Sequence, residues 1–95
     1  MLKADFTASF ARDRKRCAKK QWSVEALDLA LALVASSDEV PIPSHYNDHG
    51  LTGDLRGYRE LHIGGKTSNW VLLYQVVGDS VYFVATGSHD EVFDD

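Results

Sequence analysis

The stretch Trp70-Val71-Leu72-Leu73-Tyr74-Gln75-Val76-Val77-Gly78-Asp79-Ser80-Val81-Tyr82-Phe83-Val84-Ala85 decides the fold. Trp70 to Val77 is apolar on both strand faces, the pattern of a central strand covered on two sides. Gly78-Asp79-Ser80 is tight-turn chemistry, and Val81 to Ala85 is a second β-rich run, so the two form a hairpin. Upstream, Arg56 to Ile63 alternates. Tyr58, Glu60 and His62 share one face, and Arg59, Leu61 and Ile63 the other. Gly64 to Ser68 is the turn between these strands. Downstream, Gly87 breaks the last strand and Ser88 caps a short turn that holds His89 and Phe93.

The N-terminal half supplies the cover. Met1 to Phe6 reads as a short first strand. Thr7 is an N-cap for a helix to about Gln21 with a thin apolar stripe of Phe10, Cys17 and Ala18. Ser23 caps a second helix, with Glu25 in its first turn. Leu27, Ala30, Leu31 and Val34 fall on one side of it, and Leu29 and Leu33 widen that side, so burial of this helix is expected. Ser36 to Gly53 is a long connection rich in turn residues, among them Pro41, Pro43, Asn47, Asp48, Gly50 and Gly53. Connections of this length are often functional, and His49 lies in this one. The order β-α-α-β-β-β plus a short C-terminal helix gives an α+β class. The expected architecture is a small antiparallel sheet with two N-terminal helices packed on one face. Tyr58, Glu60, His62 and Ala85 are expected on the open face.

Ninety-five residues suffice for one small domain, 1–95, and the 44% hydrophobic and 11% aromatic content is that of a folded chain. The N-terminus has no apolar core of a signal peptide, and the longest apolar run, Leu29 to Ala35, is too short to span a bilayer. A lone Cys17 forms no intrachain disulfide and fits a reducing cytoplasm. The net charge of −4 argues against indiscriminate RNA binding. Its distribution is uneven: Met1 to Trp22 holds seven basic and two acidic side chains, the remainder three and twelve. That basic run is either a solvated helix face or a surface for phosphate or an acidic partner.

Imidazole titrates near pH 6.5 in its unperturbed state, which suits proton transfer at neutral pH. His49, His62 and His89, gathered by a small sheet, would make a general acid–base site. Each has a plainer reading too: His49 as a loop hydrogen-bonder, His62 as a solvent-facing strand residue. Trp70 reads equally as core, and Phe93 as an anchor for the C-terminus. His45 and His49 are spaced i, i+4, but in a Pro- and Gly-rich loop without a cysteine nearby, so no metal site is expected.

Taken in order, Asp48-His49-Gly50-Leu51-Thr52-Gly53, Gly57 to Ile63, Asn69-Trp70-Val71-Leu72-Leu73-Tyr74 and Ala85 to Phe93 resemble the YafQ branch of the RelE superfamily. These are the toxins of bacterial toxin–antitoxin pairs. The resemblance covers nearly the whole chain. It implies the RelE-like fold and a ribosome-dependent endoribonuclease that cuts mRNA by transferring the scissile phosphate to the adjacent 2′-hydroxyl. It also implies catalytic His49, His62 and His89, with His89 as general acid, and substrate contacts from Trp70, Phe93, Asn69 and Arg59. No metal or cofactor is implied. The implied partners are a cognate antitoxin, the ribosome and mRNA in the cytoplasm, with no membrane. Two positions depart from the pattern: Ala85 stands where the family has Arg, and Asn69 where it has Asp. The turn after His62 is also longer. Arg59 could replace the cation, but strand parity points it away from His62. The alternative is therefore a weakened or inactive relative that only binds antitoxin or ribosome.

Overall fold

A computed structural model describes residues 1–93. The strands are β1 (Lys3–Phe6), β2 (His49–Gly50), β3 (Arg59–His62), β4 (Trp70–Val77) and β5 (Ser80–Ser88). The helices are α1 (Ala8–Lys19), α2 (Val24–Ala35) and α3 (His89–Phe93). The sheet order is β1-β5-β4-β3-β2. β2 to β5 form an antiparallel meander, while β1 lies parallel to β5, Lys3 opposite Ser80 and Phe6 opposite Phe83. The sheet is therefore mixed where a wholly antiparallel one was expected. Hairpins announce themselves through short turns, whereas a parallel pair closes through a long crossover and leaves no local sign.

Both helix caps form as expected. Thr7 Oγ1 accepts from Phe10 N at 3.0 Å, and Ser23 Oγ from Ala26 N at 3.1 Å. α2 buries Leu27, Ala30 and Val34. Leu29 does not widen that face: it is 55% exposed, because two residues past Leu27 the helix has turned through more than half a circle. The apolar layer between helices and sheet includes Phe10, Leu27, Val34, Leu61, Leu72, Tyr74 and Phe83.

Two irregularities in β5 set the geometry of the other face. Leu73 pairs with Ala85 but Tyr74 pairs with Phe83, so Val84 is an extra residue, a β-bulge. The bulge turns Ala85 away from the helices and returns Thr86 to them, where it is fully buried. Further on, Gly87 does not end the strand as expected. β5 runs through it at φ +155°, and a Cβ there would stand 2.8 Å from Arg16 Nη2. Only glycine admits that approach.

The approach matters because β1 accompanies only the first half of β5. Beyond it, side chains complete the edge. Thr7 Oγ1 donates to Val84 O at 2.8 Å, Thr86 N to Asp13 Oδ2 at 3.1 Å, Arg16 Nη2 to Thr86 O at 3.1 Å and Ser88 N to Glu91 Oε1 at 2.9 Å. An unpaired strand edge is a template for aggregation, and here α1 and α3 cover it. Among the described residues no helix is long and apolar enough to cross a membrane.

Candidate active site

His49 belongs to a two-residue strand, not to a loop as expected, and pairs directly with Glu60 across the β2–β3 ladder. His62, two residues along β3, shares Glu60's face. Glu60 is only 4% exposed. Its Oε1 lies 2.9 Å from His62 Nε2, and its Oε2 lies 3.7 Å from His49 Nε2. The two imidazole centroids are 6.2 Å apart. A buried carboxylate without partners costs several kcal/mol. Two imidazoles on its two oxygens offset that cost.

The far nitrogens are also committed. His62 Nδ1 donates to the Ser68 carbonyl at 3.0 Å, and His49 Nδ1 to the Asn47 carbonyl at 2.8 Å. Each ring is thus oriented by a backbone oxygen, with Nε2 aimed at the same carboxylate. For His62, only a ring carrying protons on both nitrogens donates to both oxygens. The carboxylate and the imidazole are placed to exchange a proton.

His89 follows β5, two strands across the sheet from β3, at the strand end that also carries His62. Its backbone N–H lies 2.9 Å from Asn69 O and 3.3 Å from Asn69 Oδ1, and its ring stands 4.7 Å from that of Phe93. His89, Phe93, Glu60, Leu51, Thr52 and Leu55 line one open depression of about 330 Å³. The short helix that carries His89 is built by a reciprocal cap. Ser88 Oγ accepts from Glu91 N at 3.2 Å, and Glu91 Oε1 accepts from Ser88 N. Glu91 also meets Lys20 at 2.9 Å and Arg16 Nε at 3.1 Å. The Lys20 ammonium, then the Ser88 amide, lower its carboxyl to about pH 2.

Trp70 and Arg59 stand elsewhere. Trp70 Nε1 donates to Thr86 Oγ1 at 2.9 Å, and its ring packs on Trp22 at 4.9 Å, on the helix side of the sheet. Arg59 pairs with Asp48 at 2.8 Å, and the same carboxylate accepts from the Tyr74 hydroxyl. These three line a cleft of about 530 Å³ on that side, with Pro41, Pro43 and Ser44. Ala85 completes the row Glu60–Leu73–Ala85 on the histidine face and brings no charge to it.

The residue that sequence reasoning left out of the site is Glu60. Strand parity had set it beside His62, but nothing local shows that His49 pairs opposite it. Among the described residues, no cluster of three His, Cys, Asp or Glu side chains has the arrangement of a metal site.

The face expected to be open is in fact covered around Glu60, for Glu60, Val71 and Leu73 are all buried there. This fold, with histidines around a buried carboxylate on the sheet face away from α1 and α2, is that of a small bacterial toxin. A family model described as the bacterial toxin of type II toxin–antitoxin systems, YafQ, matches residues 2–94, and the chain belongs to that family. It is 27% identical over 89 residues to the mRNA interferase toxin YafQ of Escherichia coli K12, covering 94% of this chain and 92% of the relative. The crystal structure of YafQ from E. coli BL21(DE3) superposes with a TM-score of 0.85 at 25% identity, covering 98% of this chain and 99% of that one. The E. coli DinJ–YafQ toxin–antitoxin complex superposes at 0.83 with 26% identity, over 98% and 99%.

Proposed function

We propose that this chain is an mRNA interferase that cleaves mRNA on the ribosome by histidine acid–base chemistry. The observation that carries the reading is the buried Glu60 carboxylate held between the Nε2 atoms of His49 and His62. In the reaction the 2′-oxygen attacks the adjacent phosphorus and its proton passes to the Glu60–His62 pair. The P–O5′ bond breaks, and His89 protonates the departing 5′-oxygen. The products are a 2′,3′-cyclic phosphate and a free 5′-hydroxyl. Phe93, beside His89, offers an aromatic face to an unstacked base.

The proposed partners are a cognate antitoxin and ribosomal RNA in the cytoplasm. The basic run divides by side. Arg14 is tied to Asp28, Arg16 to Asp13 and Glu91, and Lys20 to Glu91. Arg12, Lys15 and Lys19 are exposed, free of ion pairs among the described residues, and spaced to share one stripe of α1. That stripe suits an acidic or phosphate-bearing partner.

The test is induced expression in a bacterium, with growth and mRNA cleavage followed for the natural chain and for His89→Ala. Growth arrest with cleavage, both lost in the variant, supports the reading. A chain that binds antitoxin or ribosome yet cleaves nothing is instead a binding protein, which the uncharged Ala85 on the site's own row would explain.

A further inference from the structure

We infer that Thr52 selects the nucleobase this site accepts, by hydrogen-bonding the base edge in a slot between Leu55 and Phe93. The inference rests on the reading of the histidine cluster as an RNA-cleaving centre. The slot is the depression of about 330 Å³ that holds Glu60 and His89. Pockets for small ligands begin at about 300 Å³, so this one suits a single unstacked nucleotide.

The six side chains that line it divide by task. Leu51, Leu55 and Phe93 are apolar and suit the faces of a base. Both oxygens of Glu60 already meet imidazoles. The proposed mechanism assigns His89 to the departing 5′-oxygen. Thr52 is left as the polar group that reads a base edge, with a hydroxyl that both donates and accepts. Phe93 stands against His89, so the base beside it belongs to the nucleotide 3′ of the cut.

The loop that carries Thr52 joins β2 to β3, the two strands that bear His49, Glu60 and His62. Backbone bonds brace it. Leu51 N donates to Tyr58 O at 2.9 Å, Tyr58 N to Leu55 O at 3.0 Å and Arg56 N to Gly53 O at 3.1 Å. Gly53 takes φ +68°, a left-handed value, and turns the chain immediately after Thr52. Thr52 occupies the N-cap position of the short 3-10 turn Gly53–Leu55. A threonine hydroxyl at such a position ordinarily accepts a backbone N–H. Here it caps nothing, and it makes no other hydrogen bond among the described residues. An exposed threonine in a hairpin loop commonly meets only water. This one lines the same depression as Glu60 and His89, and the chain leaves its hydroxyl uncommitted.

Single-turnover cleavage of ribosome-bound mRNAs that differ only in the nucleotide 3′ of the cut tests the assignment. The natural chain should cut the best of the four several-fold faster than the poorest. Thr52→Val keeps the shape and removes the hydroxyl. It should bring that ratio toward one, a change of about three- to tenfold, the worth of one neutral hydrogen bond. The thermal midpoint should not move, because the hydroxyl holds nothing in the chain. Thr52→Ser should keep the natural ratio, and Leu55→Ala should slow cleavage of all four alike. A second measurement does not depend on turnover. The four ribonucleoside 5′-monophosphates, titrated by NMR, should shift His89 and Phe93 and bind in the same order of preference, an order lost in Thr52→Val. The inference is overturned if Thr52→Val cleaves with the natural ratio, or if the natural chain cuts all four alike; either outcome leaves the nuclease reading intact. A chain that cleaves nothing yet binds the nucleotides in a Thr52-dependent order loses the nuclease reading and keeps the slot. A chain that neither cleaves nor binds removes both.

Discussion

Alternate residues of one short ladder build two ionisable clusters on opposite faces of the sheet. Asp48 and Arg59 turn toward the helices and meet Tyr74. His49 and Glu60, each one residue further along, turn the other way and meet His62. The first cluster pairs a permanent cation and a phenol with a carboxylate, and every charge has a fixed complement. It fastens the long connection after α2 to the sheet. The second pairs a carboxylate with two imidazoles, each ring oriented by a backbone carbonyl. Strand parity therefore separates a clamp from the proposed acid–base site within two residues of sequence.

The sharpest way to break this contrast is Glu60→Gln, which keeps the shape and removes the charge. Cleavage is expected to fall by about 10²–10⁴, the range for losing a positioned acid–base group, with little change in urea midpoint. Equal loss of stability and activity would make Glu60 a structural residue like Asp48. The converse substitution, Asp48→Ala, should leave Arg59 and Tyr74 without their acceptor and cost about 1–3 kcal/mol in urea unfolding. Arg59 is part-exposed, which favours the lower end. The protein that remains folded should cleave at close to the natural rate.

A smaller effect sharpens the clamp side. Burial, then the hydrogen bond to Asp48, raises the Tyr74 phenol above its ordinary value of 10. The folded form favours the neutral phenol, so this stabilisation is complete below pH 10 and is lost as pH rises above it. Unfolding free energy measured from pH 8 to 11 should fall, and Tyr74→Phe should flatten the slope. A Tyr74→Phe chain with the same slope would assign the alkaline loss to another group.

The smallest expected effect concerns the support of His89. The Glu91 carboxyl, lowered to about 2, favours its ionised form in the folded chain. Its contribution is present above the ordinary value near 4.5 and is lost as pH falls from there through about 2. Glu91→Gln should therefore be modestly less stable than the natural chain at pH 6, and the two should converge toward pH 2. The group is near the surface, so a shift of only a few degrees in thermal midpoint is expected. Amide exchange of α3 would show whether the loss is confined to that end of the sheet.

Much of the site could be read along the chain, and its gaps have physical causes. The alternation Tyr58-Arg59-Glu60-Leu61-His62 separates Arg59 from His62 and sets Glu60 beside it, because successive strand side chains point to opposite faces. What it does not reveal is that His49 stands opposite Glu60, which depends on a two-residue strand eleven positions upstream finding that register. Trp70 shows the same limit from the other side. The family resemblance implies a substrate contact there, whereas the residue type alone reads as core, and packing against Trp22 and the bond to Thr86 place it on the helix side.

The sequence by itself determined the β4–β5 hairpin, both helix caps, the order of the elements other than β2, and the facing of β3. Each of these rests on interactions between residues a few positions apart, so local chemistry suffices to specify them. Only the tertiary structure decided the parallel closure of β1 on β5, the bulge at Val84 that turns Ala85 toward the histidines, and the side-chain cover of the β5 edge. It also decided the carboxylate shared by His49 and His62. These depend on contacts between distant segments, Thr7 with Val84, Asp13 with Thr86 and His49 with Glu60, whose partners are fixed only when the sheet closes and its register is set.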